Sequence, residues 1–239
     1  MPLPHSARGA AVALAVLLAG AGAARAEPAS FDFTVAGLRI GTVATTSSQS
    51  GASFSATANI DAAGLVGVFT SFFFHGKANG TVKADGTVVP ARFEAQSKSP
   101  RAVRETTIDW KNGKPVKVSI VPPRGDNADP AAQGGTLDPV SAAFRLLRDA
   151  PKASVCDVTI DMFDGSRRSR LKVGPVKAAG TALTCQGSYA RMKGESMGSL
   201  DRNTFPFTIT FAVGADGIAR VQRIEAPTNF GTAVVARKG

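Results

Sequence analysis

Ala52-Ser53-Phe54-Ser55-Ala56-Thr57-Ala58-Asn59-Ile60-Asp61 alternates with a period of two. Ala52, Phe54, Ala56, Ala58 and Ile60 share one parity, while Ser53, Ser55, Thr57, Asn59 and Asp61 share the other. Successive side chains of a strand point to opposite faces, so this pattern predicts a strand with one face buried. Cys156, Val158, Ile160 and Met162 alternate in the same way with Asp157, Thr159 and Asp161. Phe205, Phe207, Ile209, Phe211 and Val213 alternate with Pro206, Thr208, Thr210 and Ala212.

Between such runs stand Asp85-Gly86, Asn112-Gly113, Asp164-Gly165 and Asp216-Gly217. Each supplies residues tolerant of positive φ, as tight antiparallel hairpins require. The runs and turns predict a mainly β chain of about ten to thirteen strands in a single antiparallel sheet. So long a flat sheet is rarely stable, so it must curl into a half-open or closed barrel with an apolar concave face.

One short helix interrupts the pattern. Asp138 can cap its first turn and Pro139 suits its first position. Val140, Ala143, Phe144 and Leu147 fall on one face, with Arg145 and Arg148 opposite. Pro151 is expected to end the helix after about ten residues, leaving one face to pack on the sheet. Pro122 to Gly135, rich in Pro, Gly and Asp, reads as a surface loop. It divides two strand-rich halves, but neither has an obvious apolar enclosure of its own, so residues 27–239 are expected to form one domain.

The N-terminus reads as a secretory signal over residues 1–26. Arg8 supplies positive charge, Gly9 to Ala23 form 15 uncharged residues, and Ala24-Arg25-Ala26 is a small-x-small cleavage site. Fifteen residues are too few to span a bilayer. No later segment has the run of about 18 apolar residues that a spanning helix needs, so a soluble periplasmic protein is expected after cleavage. Cleavage would leave 239 − 26 = 213 residues and, without Arg8 and Arg25, lower the net charge from +10 to +8. That basicity suits an anionic envelope component. Nucleic acid is not expected, because export removes the protein from it and no aromatic-plus-basic recognition motif is present.

An exported chain with exactly two cysteines is expected to join them, here Cys156 to Cys185, facing the interior. The bridge would close a loop of 28 residues (185 − 156 − 1). A loop of that order contributes about 3 to 4 kcal/mol in the chain-entropy account. If 154–162, 166–174 and 181–191 were three flat neighbouring strands, the first and third would lie about 9.6 Å apart, beyond disulfide reach. The bridge therefore requires a strong curl, a local bend or another strand order. A redox pair is the alternative, but Cys-x-x-Cys spacing and a nearby His are lacking.

Little catalytic chemistry is available. His75 is the sole imidazole after cleavage, and neither a Gly-x-Ser-x-Gly elbow nor a phosphate-cradling Gly loop occurs. Asp109, Asp138, Asp161 and Asp164 include the candidates for a carboxylate pair, although turns, strand surfaces and a helix cap account for them equally well. No metal site, catalytic residue or cofactor is expected. The densest apolar run is Leu65 to Phe74. Consecutive Phe72, Phe73 and Phe74 make both faces of that strand apolar, one for the core and the other for the helix, a hydrophobic ligand or a membrane. Phe69, Phe72 and Phe74 are the candidate contacts for an apolar ligand, with basic side chains at the rim for an anionic head group. Phe230 to Val235 reads as closing the opposite edge.

The ordered landmarks Val35-Ala36-Gly37-Leu38-Arg39-Ile40-Gly41, Gly64-Leu65, Asp85-Gly86 through Pro90-Ala91-Arg92-Phe93, Asp109-Trp110, Leu137-Asp138-Pro139-Val140-Ser141-Ala142 and Phe163-Asp164-Gly165-Ser166-Arg167-Arg168 carry a resemblance. Over most of residues 27–239 the chain resembles a proteobacterial exported family, domain of unknown function 3108. Cys156 and Cys185 flanking the Phe-Asp-Gly-x-Arg-Arg stretch look like the form seen in some members. The resemblance transfers no reaction and no catalytic residue. Exported curled sheets carrying helices are also similar in fold to lipoprotein carriers and envelope-stress sensors, an analogy that favours a lipid-like ligand. Two functions are therefore expected in order: a non-enzymatic periplasmic envelope protein that binds a lipid or other hydrophobic ligand, or a structural module that binds an envelope protein.

Overall fold

The computed structural model describes residues 27–62, 72–100, 102–125, 127–179, 181–192 and 204–239. The expected signal segment and Phe69 lie outside them. The first half of the sheet contains β1 (Glu27–Val35), β2 (Leu38–Ser50), β3 (Ser53–Ala62), β4 (Phe73–Val82), β5 (Val88–Ser99), β6 (Ala102–Lys111) and β7 (Lys114–Val121). Helix α1 (Pro139–Leu147) and the two-residue β8 (Ala150–Pro151) follow. Then come β9 (Val158–Phe163), β10 (Arg168–Ala179), β11 (Ala182–Arg191), β12 (Thr204–Val213), β13 (Ile218–Thr228) and β14 (Gly231–Arg237).

All fourteen strands belong to one sheet, in the order β7-β6-β5-β4-β3-β2-β1-β14-β13-β12-β11-β10-β9, with β8 paired to β13. Each half is an antiparallel meander, and the halves join where β1 pairs with β14. Phe230–Val235 therefore lies at the centre of the sheet and not at its edge. An N-terminal strand that finds the C-terminal one leaves β7 and β9, at the two ends of the 122–157 connection that carries α1 and β8, as the edges.

Those edges do not pair with each other. They are bridged by a segment expected to be plain surface loop. The Gly135 N–H donates to Gly113 O at 2.8 Å on the β7 side, and Ala128 N–H to Ser166 O at 2.7 Å on the β9–β10 turn. Leu137 adds a short parallel bridge to β9, donating to Asp161 O and accepting from Phe163 N–H, both at 2.8 Å. Gln133 and Thr136 are accordingly buried. The result is a gapped barrel whose seam is chain, not strand.

All four Gly-containing turn dipeptides join neighbouring antiparallel strands, each with its glycine at positive φ. In β3, Phe54, Ala56 and Ala58 are buried while Ser53, Ser55 and Thr57 are exposed, as the alternation requires. The inward faces form two apolar clusters, one around Phe54, Phe93, Ile108 and Phe163, the other around Phe31, Cys185, Ile209 and Phe211.

Helix α1 touches both clusters and is more enclosed than one packed face implies. Val140, Ser141, Ala142 and Phe144 are all buried, so burial runs right round its first turn. Its seat is a floor of small inward residues, Ala56, Ala58, Gly76 and Ala78. A Cβ on Gly76 would stand 2.7 Å from Val140 Cγ2, and the Phe144 ring stacks on Phe54 at 4.5 Å. The helix ends at Leu147, before Pro151, because Arg148 turns extended and carries the chain to β8, where Ala150 and Pro151 pair with Ala219 and Ile218.

The disulfide Cys156–Cys185 is present and buried, with a Cα–Cα distance of 6.1 Å. β9, β10 and β11 are neighbours in that order, so the local bend is what brings the sulfurs together. Cys156 does not belong to β9 but precedes it in a bend where Asp157 has φ 57°. The Asp157 N–H donates to Gly174 O at 3.0 Å, at the point where β10 bulges between Val173 and Val176. The chain thus crosses β10 at its irregularity to reach β11.

Candidate functional site

The expected apolar site was the concave face of the sheet, and α1 occupies it. Beside the stacked Phe54 and Phe144, the cleft between α1 and strands β1–β3 holds about 20 Å³, room for about one water molecule, while a depression of about 470 Å³ opens beside Phe144, Arg148, Val82 and Ala150 at the Asp85-Gly86 end. Phe74 faces inward, half-buried against the cluster that includes Val140. It is part of the helix's packing. Phe72 precedes β4 and is 44% exposed, while Phe73 faces outward and stacks on His75 at 4.9 Å. The three consecutive phenylalanines thus divide between core, rim and outer surface, and only Phe72 of the described candidates is open to a partner.

The ionisable candidates do not converge. His75 Nε2 lies 2.6 Å from Asp61 Oδ1 on the outer face. Asp109 meets Arg92 at 2.6 Å, and Arg92 also holds Glu94, which Lys77 reaches from β4 at 2.6 Å. Lys77 and Arg92 together hold the Glu94 carboxyl below its ordinary value. This ladder of ion pairs separates two open depressions of about 420 and 450 Å³ on the outward face of β2–β6. Asp164 accepts from Ser166 and Arg167 N–H groups and shapes its turn.

Asp161 is gripped by Arg170 at 2.6 Å and Arg168 at 2.7 Å. Hydrogen bonding from Arg170, then from Arg168, lowers its pKa to about 2 against the opposing effect of burial. Asp138 is fully buried at the start of α1. Its Oδ1 accepts from Val140 N–H at 2.9 Å and Ser141 N–H at 2.8 Å, and Oδ2 accepts from the Ser141 hydroxyl. Burial raises its pKa to about 6, although these donors pull it down. Among the described residues no group of three or more His, Cys, Asp or Glu side chains is arranged to hold a metal ion.

A family model described as a protein of unknown function, DUF3108, matches residues 30–235. The chain belongs to this family. No curated protein matches. A solved structure, a β-barrel-like protein of domain of unknown function DUF1849 from Brucella abortus, is similar to the DUF3108 chain at 12% identity and a TM-score of 0.42. The similarity covers 88% of this chain and 94% of that one.

What sequence reasoning missed is a set of isolated apolar side chains at strand ends. Leu38, Phe72, Val103, Val116, Val121, Val176 and Phe230 are the exposed large hydrophobics among the described residues. Of these, the sequence marks Phe72 as a ligand contact and Phe230 only as part of an edge segment. The rest are single residues beside turn or polar neighbours, and no period marks them. Register collects them. The pairs Val35–Leu38, Gly41–Ala62, Phe73–Lys98–Val103, Glu105–Val121 and Thr228–Gly231 all lie at one end of the barrel. Five of the seven, all but Val116 and Val176, therefore stand on that rim, opposite the end where the Asp85-Gly86 and Asn112-Gly113 turns lie.

Proposed function

We propose that this DUF3108 member is a non-enzymatic protein of the bacterial periplasm that binds an apolar or amphipathic partner at its rim, outside the lumen. One observation carries the reading: α1 packs into the concavity against Phe54 and the small residues of β3 and β4, while most of the exposed large apolar side chains gather at one end. An acyl chain entering the lumen would have to displace Phe144 from Phe54 and Val140 from the Gly76 floor. The separate engagement of Asp109, Asp138, Asp161, Asp164 and His75 supports binding over acid–base catalysis. The signal-like residues 1–26 and the buried disulfide support an oxidising compartment.

The test is a photoactivatable side chain at Phe72 in the living cell, compared with one at Phe54, with the adducts and the processed N-terminus read by mass spectrometry. A chain beginning at Glu27 that captures its partner through position 72 and not through 54 is expected. Capture of lipid at position 54 would replace rim binding with carriage in the lumen, and a cytoplasmic, unprocessed chain would remove the periplasmic assignment. A structural module that binds an envelope protein is the second reading. It is favoured by the same filled lumen and by Val116 and Val121, 61% and 59% exposed on edge strand β7.

A further inference from the structure

Resting on the rim reading, we propose that the partner is an anionic phospholipid bilayer, on which the barrel stands by the end bearing Leu38, Phe72, Val103, Val121 and Phe230. Phe230 is 83% and Leu38 71% exposed. They belong to adjacent turns, since a Cβ on Gly231 would stand 3.0 Å from the Ala36 Cβ and the Ala36 N–H donates to Thr232 O. Phe72, Val103 and Val121 extend the apolar set along β4, β6 and β7. Half-buried Tyr189 and Phe205 pair at the same end, 6.3 Å apart.

These side chains come from the ends of different strands around the rim. A protein interface buries a contiguous, closely packed core, whereas a bilayer accepts dispersed apolar groups that project in a common direction. Cations stand among them. Lys98 pairs in register with Val103, Arg124 follows β7, Arg167 lies in the β9–β10 turn and Arg191 ends β11. None of these four has an ion pair among the described residues, and Arg191 lies over the Phe205 ring at 5.8 Å. Of the nearby carboxylates, Asp61 and Asp164 are engaged by His75 and by turn N–H groups, and the exposed Glu105 opposite Val121 accepts from Gln96 Nε2 at 3.4 Å. Apolar anchors interleaved with cations that have no ion pair among the described residues match the acyl boundary and phosphate layer of an anionic surface.

The experiment is flotation of the purified protein with two kinds of vesicle, phosphatidylcholine alone and phosphatidylcholine with roughly one quarter phosphatidylglycerol. Binding to the anionic vesicles only, released by high salt, is expected. Phe230→Ser combined with Phe72→Ser should weaken it at least about tenfold, since each ring loses its apolar contact. Lys98→Gln should weaken it about fivefold. Val116→Ser, at the other end, should leave it unchanged. Circular dichroism melts check that the exposed substitutions leave the fold intact, which is the expected result. Equal binding to both vesicles, or no effect of the rim variants, overturns bilayer docking. A protein adduct at position 72 without vesicle binding also overturns it while leaving the rim reading intact. The absence of both sinks both.

Discussion

Asp138 shows how one side chain ties local structure to pH. Its carboxylate satisfies two N–H groups that the first turn of α1 would otherwise leave open, but it does so in a site closed to water. Desolvation is the larger effect and its pKa rises to about 6, from 3.8. Between these values the folded state binds a proton that the unfolded chain does not, so this group's contribution to stability falls as pH rises from about 4 to about 6. The difference is at most about 3 kcal/mol. Asp161 has the opposite sign. With its pKa lowered to about 2, its contribution is present above pH 4 and lost as pH falls through 2. Asp138→Asn keeps an acceptor for the helix N–H groups without the charge, and should flatten the loss of stability between pH 4 and 6 in thermal melts. Asp138→Ala should cost about 2 kcal/mol at pH 7 through loss of the cap. An unchanged slope in the Asn variant would locate the pH dependence elsewhere. The cap was legible from Asp138-Pro139 alone. The Asp161 clamp was not, because Arg170 stands opposite Asp161 only once the register of β9 and β10 is known.

Among the elements, α1 was readable from its own residues, but its enclosure was written elsewhere. Ala56, Ala58, Gly76 and Ala78 are inward positions of β3 and β4 where a sheet that fills its own concavity would carry Val, Ile or Leu. Small residues there are a complement to something bulky, and the Gly76 contact with Val140 shows what. Gly76→Ala should therefore push α1 off its floor and cost about 1 to 3 kcal/mol, the usual range for overpacking. Val140→Ala alone removes two buried methyl groups and should destabilise by a comparable amount. Together they should cost less than the sum of the single variants, because each removes the other's clash or cavity. Denaturant unfolding of the four proteins completes the cycle, and strict additivity would mean that the helix does not bear on that glycine. The disulfide was legible as far as geometry allowed: separation across an intervening strand demanded a distortion, and the bend at Asp157 with the bulge in β10 supplies it. Which of the possible distortions it would be depends on where β9 begins, two residues later than its alternation implied.

At the scale of the whole molecule the order of strands was the hardest feature to read, since alternation reports which face is buried and not which strand is adjacent. Hairpin turns supplied the two meanders, but the β1–β14 pairing has no local signal, and it moves the edges to β7 and β9. The seam between them depends on a few backbone hydrogen bonds from residues 128–137, reinforced by Leu137 and Phe163 in the first core cluster. The centre of the sheet is different. β1 and β14 are paired on both sides, and Phe31 is buried beneath them. Stability should therefore fall from centre to seam, with the seam opening as a local unit. Leu137→Ser places a hydroxyl in that cluster while leaving the rest of the sheet's pairing untouched. Hydrogen-exchange mass spectrometry of this variant should show faster exchange in 114–121 and 158–163, with 31–35 and 233–237 close to the parent protein. If the central segments accelerate equally, the seam and the centre open in one cooperative step, and the gap in the barrel has no separate life of its own.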